Sequence, residues 1–264
     1  MNVRLRIGES EVVTDLSRPV SLALELDFGG AQPRHFGAPA ATARPFAVPG
    51  FSGSVADGAS CNCSVITVIP HCNGTHTECA GHLTREPLDA YRIVPAGLIP
   101  ALLISVDPVA AASSQETADP LPQAADLLVT RHAIERRWLP TTPLAPLALI
   151  IRTASFAPAD SPPYLTLEAV RLIVERGVQH LVIDLPSIDR DHDEGRLGAH
   201  RVFFGLDPDA TTFAAVGRPQ ATITELARVP DTLRDGMYLL ELQVPAWRGD
   251  AVPSRPLLYP FREA

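Results

Sequence analysis

No stretch of this 264-residue sequence approaches the roughly 20 consecutive apolar residues needed to cross a bilayer. The most apolar run, Leu98 to Val106, is interrupted by Pro100 and closed by Asp107–Pro108. The first residues, MNVRLRIGESEVVTDLS, lack the apolar core and small-residue cleavage site of a signal peptide. Basic runs are missing as well, and the net charge is −8. That average field repels a phosphate backbone, which removes nucleic acid as a partner class. Cysteine is scarce and confined to Cys61, Cys63, Cys72 and Cys79. Such a cluster in a reducing compartment reads as thiol or metal chemistry rather than as a disulfide frame. Repeats are absent, and the only biased stretch is the Ala/Pro-rich segment from Ala38 to Pro49. What remains is an ordinary globular balance, 46% hydrophobic and 20% charged. The expectation is a soluble cytoplasmic protein with no membrane and no nucleic-acid partner, forming one domain over residues 1–264.

Proline is plentiful, at 26 residues, and falls mostly between the periodic segments, which marks ordered loops. Val20 to Leu26 alternates apolar and polar residues as a strand does, and Val65 to Ile69 reads as a strand leading into His71. The second half is clearer. Leu147 to Ile151 reads as a buried strand, followed by a Pro-rich loop from Phe156 to Pro163. Thr166 can cap a helix whose Leu167, Val170, Ile173 and Val174 recur at helical spacing, with Gly177 stopping it. Leu181 to Asp184 is another strand, so the unit reads as a parallel crossover. Sites in such sheets lie just beyond the carboxyl ends of the strands, where Asp184, Ser187 and Asp189 fall. A long connection, Leu206 to Pro219, separates His200 from the segment Thr222 to Val229 carrying Glu225. Leu239 to Val244 suits a late strand, and Pro253 to Tyr259 is expected to close the sheet.

The segment His71-Cys-Asn-Gly-Thr-His-Thr-Glu-Cys-Ala-Gly-His82 packs three histidines, two cysteines and one glutamate into twelve residues. Imidazole, thiolate and carboxylate are the side chains that ligate divalent transition metals. Cys72, His76 and Glu78 stand at i, i+4 and i+6. A turn at Asn73–Gly74 followed by extended chain would aim all three at one centre, because alternate strand residues share a face. His82 would then lie close enough to act on a water. The competing reading is a solvated polar loop with cysteines packed as small apolar groups, but the density of donors favours a ligand cluster.

This segment resembles the signature of the cyclase / kynurenine formamidase family of metal hydrolases, H-x-G-T-H-x-D-x-P-x-H. Gly74-Thr75-His76 and His82 match at the right spacing, while Cys72 stands for the family's first His, Glu78 for its Asp and Ala80 for its Pro. Ile183-Asp184-Leu-Pro-Ser187-Ile-Asp189 is similar to the family's G-I-D-T-P-S-I-D segment. His200-Arg201 resembles its later His, Thr224-Glu225-Leu226 its E-N-L element, and Ile150-Ile-Arg152-Thr153 its strand before the crossover.

The resemblance implies an α/β (α+β) swivelling β/β/α domain with a mixed central sheet and a divalent metal site, often binuclear. Carried over, Cys72, His76 and Glu78 would hold one metal, and Glu78 would bridge to a second held by His200 and Glu225. His82 would be the general acid/base. Thiolate at Cys72 favours Zn2+, one or two ions per subunit, over Mn2+. His71 would replace Cys72 if the register shifted by one residue. The implied activity is hydrolysis of an amide-type C–N bond in a small molecule, as by an arylformamidase in tryptophan catabolism. An isatin hydrolase-like lactam or lactone hydrolase, or a metal- or ligand-binding protein without catalysis, are the alternatives. Family members are typically homodimers or homotetramers. Cys61 and Cys63 lack the C-x-x-C pairing of a structural zinc site, and the acidic run Asp189 to Glu194 reads as a solvated loop. His35, His132 and His180 read as isolated surface or core residues, and Ser187 lacks the G-x-S-x-G context of a serine hydrolase. Asp184 and Asp189 read as supports for loop geometry or for a metal ligand.

Overall fold

The apolar run near Leu98 forms a strand through its proline. In the computed structural model, which describes residues 1–138, 144–153 and 161–263, that strand lies within a nine-stranded sheet. Pro100 occupies the strand's second position, and its carbonyl accepts from the Leu147 N–H at 2.9 Å. Contacts divide the chain into two units, one of Met1–Leu24 with Thr75–Ala264 and one of Glu25–Gly74.

The larger unit carries the sheet. Its strands in chain order are β1 (Val20–Ser21), β2 (His76–Cys79), β3 (Ile99–Val106), β4 (Ala148–Thr153), β5 (His180–Ile183), β6 (Thr222–Glu225), β7 (Gly236–Gln243), β8 (Ala251–Pro253) and β9 (Arg255–Tyr259). Across the sheet they run β8-β2-β6-β5-β4-β3-β7-β9-β1. The four central strands, β6, β5, β4 and β3, are mutually parallel. Every other pairing is antiparallel. The sheet is therefore mixed, and the chain is an α+β fold with few helices. Parallel strands are covered on both faces, so alternate residues go to opposite cores. Leu102, Ile104, Leu149, Ile151, Leu181 and Ile183 enter one core, while Ala101, Leu103, Ala148, Ile150 and Val182 enter the other. That two-sided burial is why β3 and β4 read as continuous apolar runs.

Three helices pack on the first face: α1 (Arg131–Arg137), α2 (Leu167–Glu175) and α3 (Gly198–Phe204). Thr166 caps α2 by accepting from Ala169 N–H at 3.0 Å, and Gly177 takes a left-handed φ of 78° just past its end. The crossover from β4 through α2 to β5 is parallel, as the spacing predicts. Early strands are shorter than expected, since Val20 to Leu26 supplies only β1 and an isolated bridge from Ala23 to Ala227. The sheet closes at one end with β9 and β1, but at the other with β8 against β2. Of the Pro-rich loop read from Phe156 to Pro163, residues 156–160 lie outside the described residues. Among the described residues, no helix is long and apolar enough to cross a membrane.

The Glu25–Gly74 unit holds two short antiparallel pairs, Thr42–Pro45 with Ser64–Thr67 and Ala47–Val48 with Phe51–Ser52. A single helical turn, Pro70–Asn73, ends it and carries His71 and Cys72. Asn73 ties this turn down. Its amide donates to the carbonyls of Pro39 (3.0 Å) and Pro33 (3.4 Å), and its Oδ1 accepts from Ile69 N–H at 2.8 Å. The unit boundary falls between Gly74 and Thr75, inside the motif.

Candidate metal centre

Strand β2 places His76 and Glu78 on one face because side chains two apart share a side of a strand. Its neighbour β6 runs antiparallel with Glu225 directly opposite His76 and Ile223 opposite Glu78. The three side chains are buried, and their donor atoms lie within 4.8 Å of one another. His76 Nε2 is 3.5 Å from Glu225 Oε2.

His200 arrives from α3 and is also buried. Its Nε2 lies 2.9 Å from Glu78 Oε1 and 3.5 Å from Glu225 Oε1. The opposite ring nitrogen, Nδ1, donates to Asp189 Oδ2 at 2.6 Å. Asp189 does more than orient the ring. Its Oδ1 accepts from Ala199 N–H (2.7 Å) and its Oδ2 from His200 N–H (3.0 Å), which caps the first turn of α3 from the loop after β5. The residue in the N-cap position, Leu197, has a left-handed φ of 49° and offers no side-chain cap. Glu225 is itself held by Ile188 N–H at 2.8 Å. Directly after it, Leu226 adopts a φ of 54°, held by its N–H to Leu185 O and by Thr75 Oγ1 donating to its carbonyl. Left-handed backbone at a leucine is costly and persists where surrounding bonds determine it.

The donor chemistry fits a divalent cation. With its Nδ1–H committed to Asp189, a neutral His200 turns the Nε2 lone pair toward two carboxylates in a fully buried site. Lone pair against carboxylate oxygen in a dry site is stable only with positive charge between them. Without a metal, that charge is a proton. Burial opposes the charged ring, but Glu78, Asp189 and Glu225 outweigh it and raise the His200 pKa well above its ordinary value. Two imidazoles, two carboxylates and a carboxylate behind one imidazole form a recurring divalent-metal arrangement.

His82 ends a 3-10 turn, Ala80–His82, that follows β2. Its ring centroid is 5.7 Å from that of His200, and its Nδ1 is 3.4 Å from Asp250 Oδ2. Gly81 is required there, because a Cβ would fall 2.8 Å from Leu88 O and 3.1 Å from Asp250 Cβ.

Of the residues singled out from sequence, His76, Glu78, His200 and Glu225 are brought together, with His82 beside them. Cys72 and His71 belong to the other unit. Burial raises the Cys72 thiol above its usual pKa, and it pushes the Cys79 thiol up to about 12. Cys79 packs as a buried neutral thiol, its Sγ donating to Leu88 O at 3.5 Å. Cys61 and Cys63 are exposed. Asp250 escaped the sequence reading, since nothing in Trp-Arg-Gly-Asp-Ala-Val marks it.

A family model described as "Putative cyclase" matches residues 14–190. Solved structures give the same fold. A "predicted metal-dependent hydrolase" from Bacillus stearothermophilus shares 17% identity at a TM-score of 0.57, covering 92% of this chain and 98% of that one. Isatin hydrolase A from Ralstonia solanacearum shares 17% at 0.57, covering 92% and 91%. Isatin hydrolase A from Labrenzia aggregata shares 17% at 0.54, covering 92% and 93%. Curated proteins yield no significant match.

Proposed function

The chain belongs to the cyclase family, and on that premise we propose that it is a metal-dependent hydrolase cleaving an amide-type C–N bond, in the manner of an arylformamidase. The observation that carries the proposal is the buried convergence of His76, Glu78, Glu225 and His200 with a second histidine, His82, alongside. Those four residues would hold the metal. The motif resemblance extends the ligand set to Cys72, with His71 as its alternative, and metal analysis of Cys72→Ala and His71→Ala decides between them. Zn2+ is the proposed ion and Mn2+ the alternative, because imidazole and carboxylate accept both. A bound divalent cation supplies Lewis-acid polarisation of the scissile carbonyl and a water that ionises near neutral pH.

The protein's own residues supply orientation and proton movement. Asp189 keeps His200 in the tautomer whose Nε2 faces the centre. His82 takes the proton released as water oxygen bonds to the carbonyl carbon. It returns a proton to the nitrogen as the C–N bond breaks, so that acid and free amine leave. The same steps open a lactam, and the isatin hydrolases among the structural neighbours favour that second reading. The proposal includes a cytoplasmic homodimer or homotetramer, which ultracentrifugation and fractionation test.

The deciding experiment pairs elemental analysis with a panel of N-formyl aryl amines, lactams and cyclic imides. We expect chelation to abolish turnover. His82→Ala is expected to retain the metal and lose about 10^2- to 10^4-fold in kcat. Full activity without metal rejects the hydrolase mechanism. Bound metal with no turnover across the panel favours a binding protein instead.

A further inference from the structure

We propose that Asp250 is the positioning residue for His82, fixing its ring so that Nδ1 carries the hydrogen and Nε2 is the atom that takes and returns the proton. The inference rests on the hydrolase reading for His82's role, but the geometry stands apart from it. Edge strand β8 pairs with β2, Ala251 lying opposite Glu78, so the residue just before β8 falls beside the turn that follows β2. Asp250 is held there through its backbone, its carbonyl accepting from Cys79 N–H at 3.0 Å. The preceding Gly249 carbonyl accepts from Ala90 N–H at 2.8 Å, so the loop is tied on both sides of the turn. Gly81 removes the side chain that would collide with Asp250 Cβ. These restraints leave the carboxylate 3.4 Å from His82 Nδ1.

A carboxylate can only accept, so an imidazole nitrogen facing it must donate. A histidine oriented through one nitrogen presents the other for chemistry, with its tautomer set by the first. Here the ring is 26% exposed and its partner 40%, so solvent alone would not fix the tautomer. The ring of His200 lies 5.7 Å from that of His82, centroid to centroid.

The test reads the tautomer directly. Ring-nitrogen NMR of the protein as isolated, with His82 assigned by comparison with His82→Gln, is expected to show His82 protonated at Nδ1. In Asp250→Ala that preference should be lost. An unchanged tautomer overturns the proposal, whatever the substrate. Kinetics supply the second arm. Asp250→Asn is expected to lower kcat about 10- to 100-fold with little change in KM and unchanged metal content, and Asp250→Glu to recover part of the loss. In a His82→Ala background, Asp250→Asn should have no further effect. An equal loss in that background would show a structural role and overturn the assignment. If no panel compound is turned over, the hydrolase reading fails while the tautomer measurement still decides the role of Asp250.

Discussion

Asp189 serves the centre with a single carboxylate that does two jobs, orienting His200 through Nδ1 and capping the first turn of α3. In Asp189→Asn with the amide NH2 in the place of Oδ2, the remaining oxygen still accepts from Ala199 N–H, but the NH2 meets His200 Nδ1 and favours a hydrogen on Nε2, and the cap bond from His200 N–H is lost. The ring would then turn an N–H toward Glu78 and Glu225. We expect metal affinity to fall about 10- to 100-fold, measured by competition with a chromophoric chelator, while far-UV circular dichroism stays unchanged. The sequence marked Asp189 through its I-D context. Its partner was hidden because Asp189 and His200 are joined across an irregular loop with no periodicity.

Among the elements, the segment between His200 and Glu225 is fastened at both ends. Its neck closes where Gly217 N–H donates to Gly205 O at 3.0 Å, Gly205 having a left-handed φ of 68°. Arg201 donates to the carbonyls of Asp207 and Ala210, and Arg218 to those of Phe203 and Val178. The far end hangs on the chain just past His82. Arg85 N–H donates to Thr211 O at 2.8 Å, and Phe213 N–H to Glu86 Oε2 at 2.8 Å. That N–H is the main cause holding the Glu86 carboxyl below its ordinary pKa. The segment is therefore a tethered rim beside the His82 turn rather than a loose excursion. Glu86→Ala is expected to speed proteolytic cleavage within residues 206–219 and to change KM for bulky substrates. For the smallest substrate, kcat should stay within about two-fold, since no reacting group moves.

At the scale of the whole molecule, buried titratable groups set the pH range of stability. The sequence contains no lysine, so all 22 basic side chains are arginines and stay charged throughout that range. His180 is buried against Thr222 Oγ1 at 2.9 Å, and burial lowers its pKa from 6.5 to about 4. Its folded state prefers the neutral ring, so its contribution is complete above pH 6.5 and disappears as pH falls toward about 4. The shift corresponds to roughly 3 kcal/mol. Asp184, which accepts from Thr153 N–H and Oγ1–H, has the opposite sign. Burial raises its pKa from 3.8 to about 6, so its contribution is complete below 3.8 and is lost as pH rises through about 6. Calorimetry from pH 4 to 8 should show His180→Gln flattening the acid limb. Asp184→Asn should raise Tm at pH 8 and leave it unchanged at pH 4.

Sequence by itself determined the helix Leu167–Glu175 with its Thr166 cap, the parallel crossover and the apolar strands, because each is written in local spacing and local burial. It also marked His76, Glu78 and His82, because metal-ligating side chains are chemically rare in such density, while His200 and Glu225 were marked only through the family resemblance. Only the tertiary structure decided that Glu225 faces His76, that Asp189 stands behind His200, and that Asp250 meets His82 across 168 residues. Those relations depend on strand order and register. A short edge strand such as Ala251–Pro253 carries no local pattern, since its partner is fixed by what the rest of the sheet leaves unpaired.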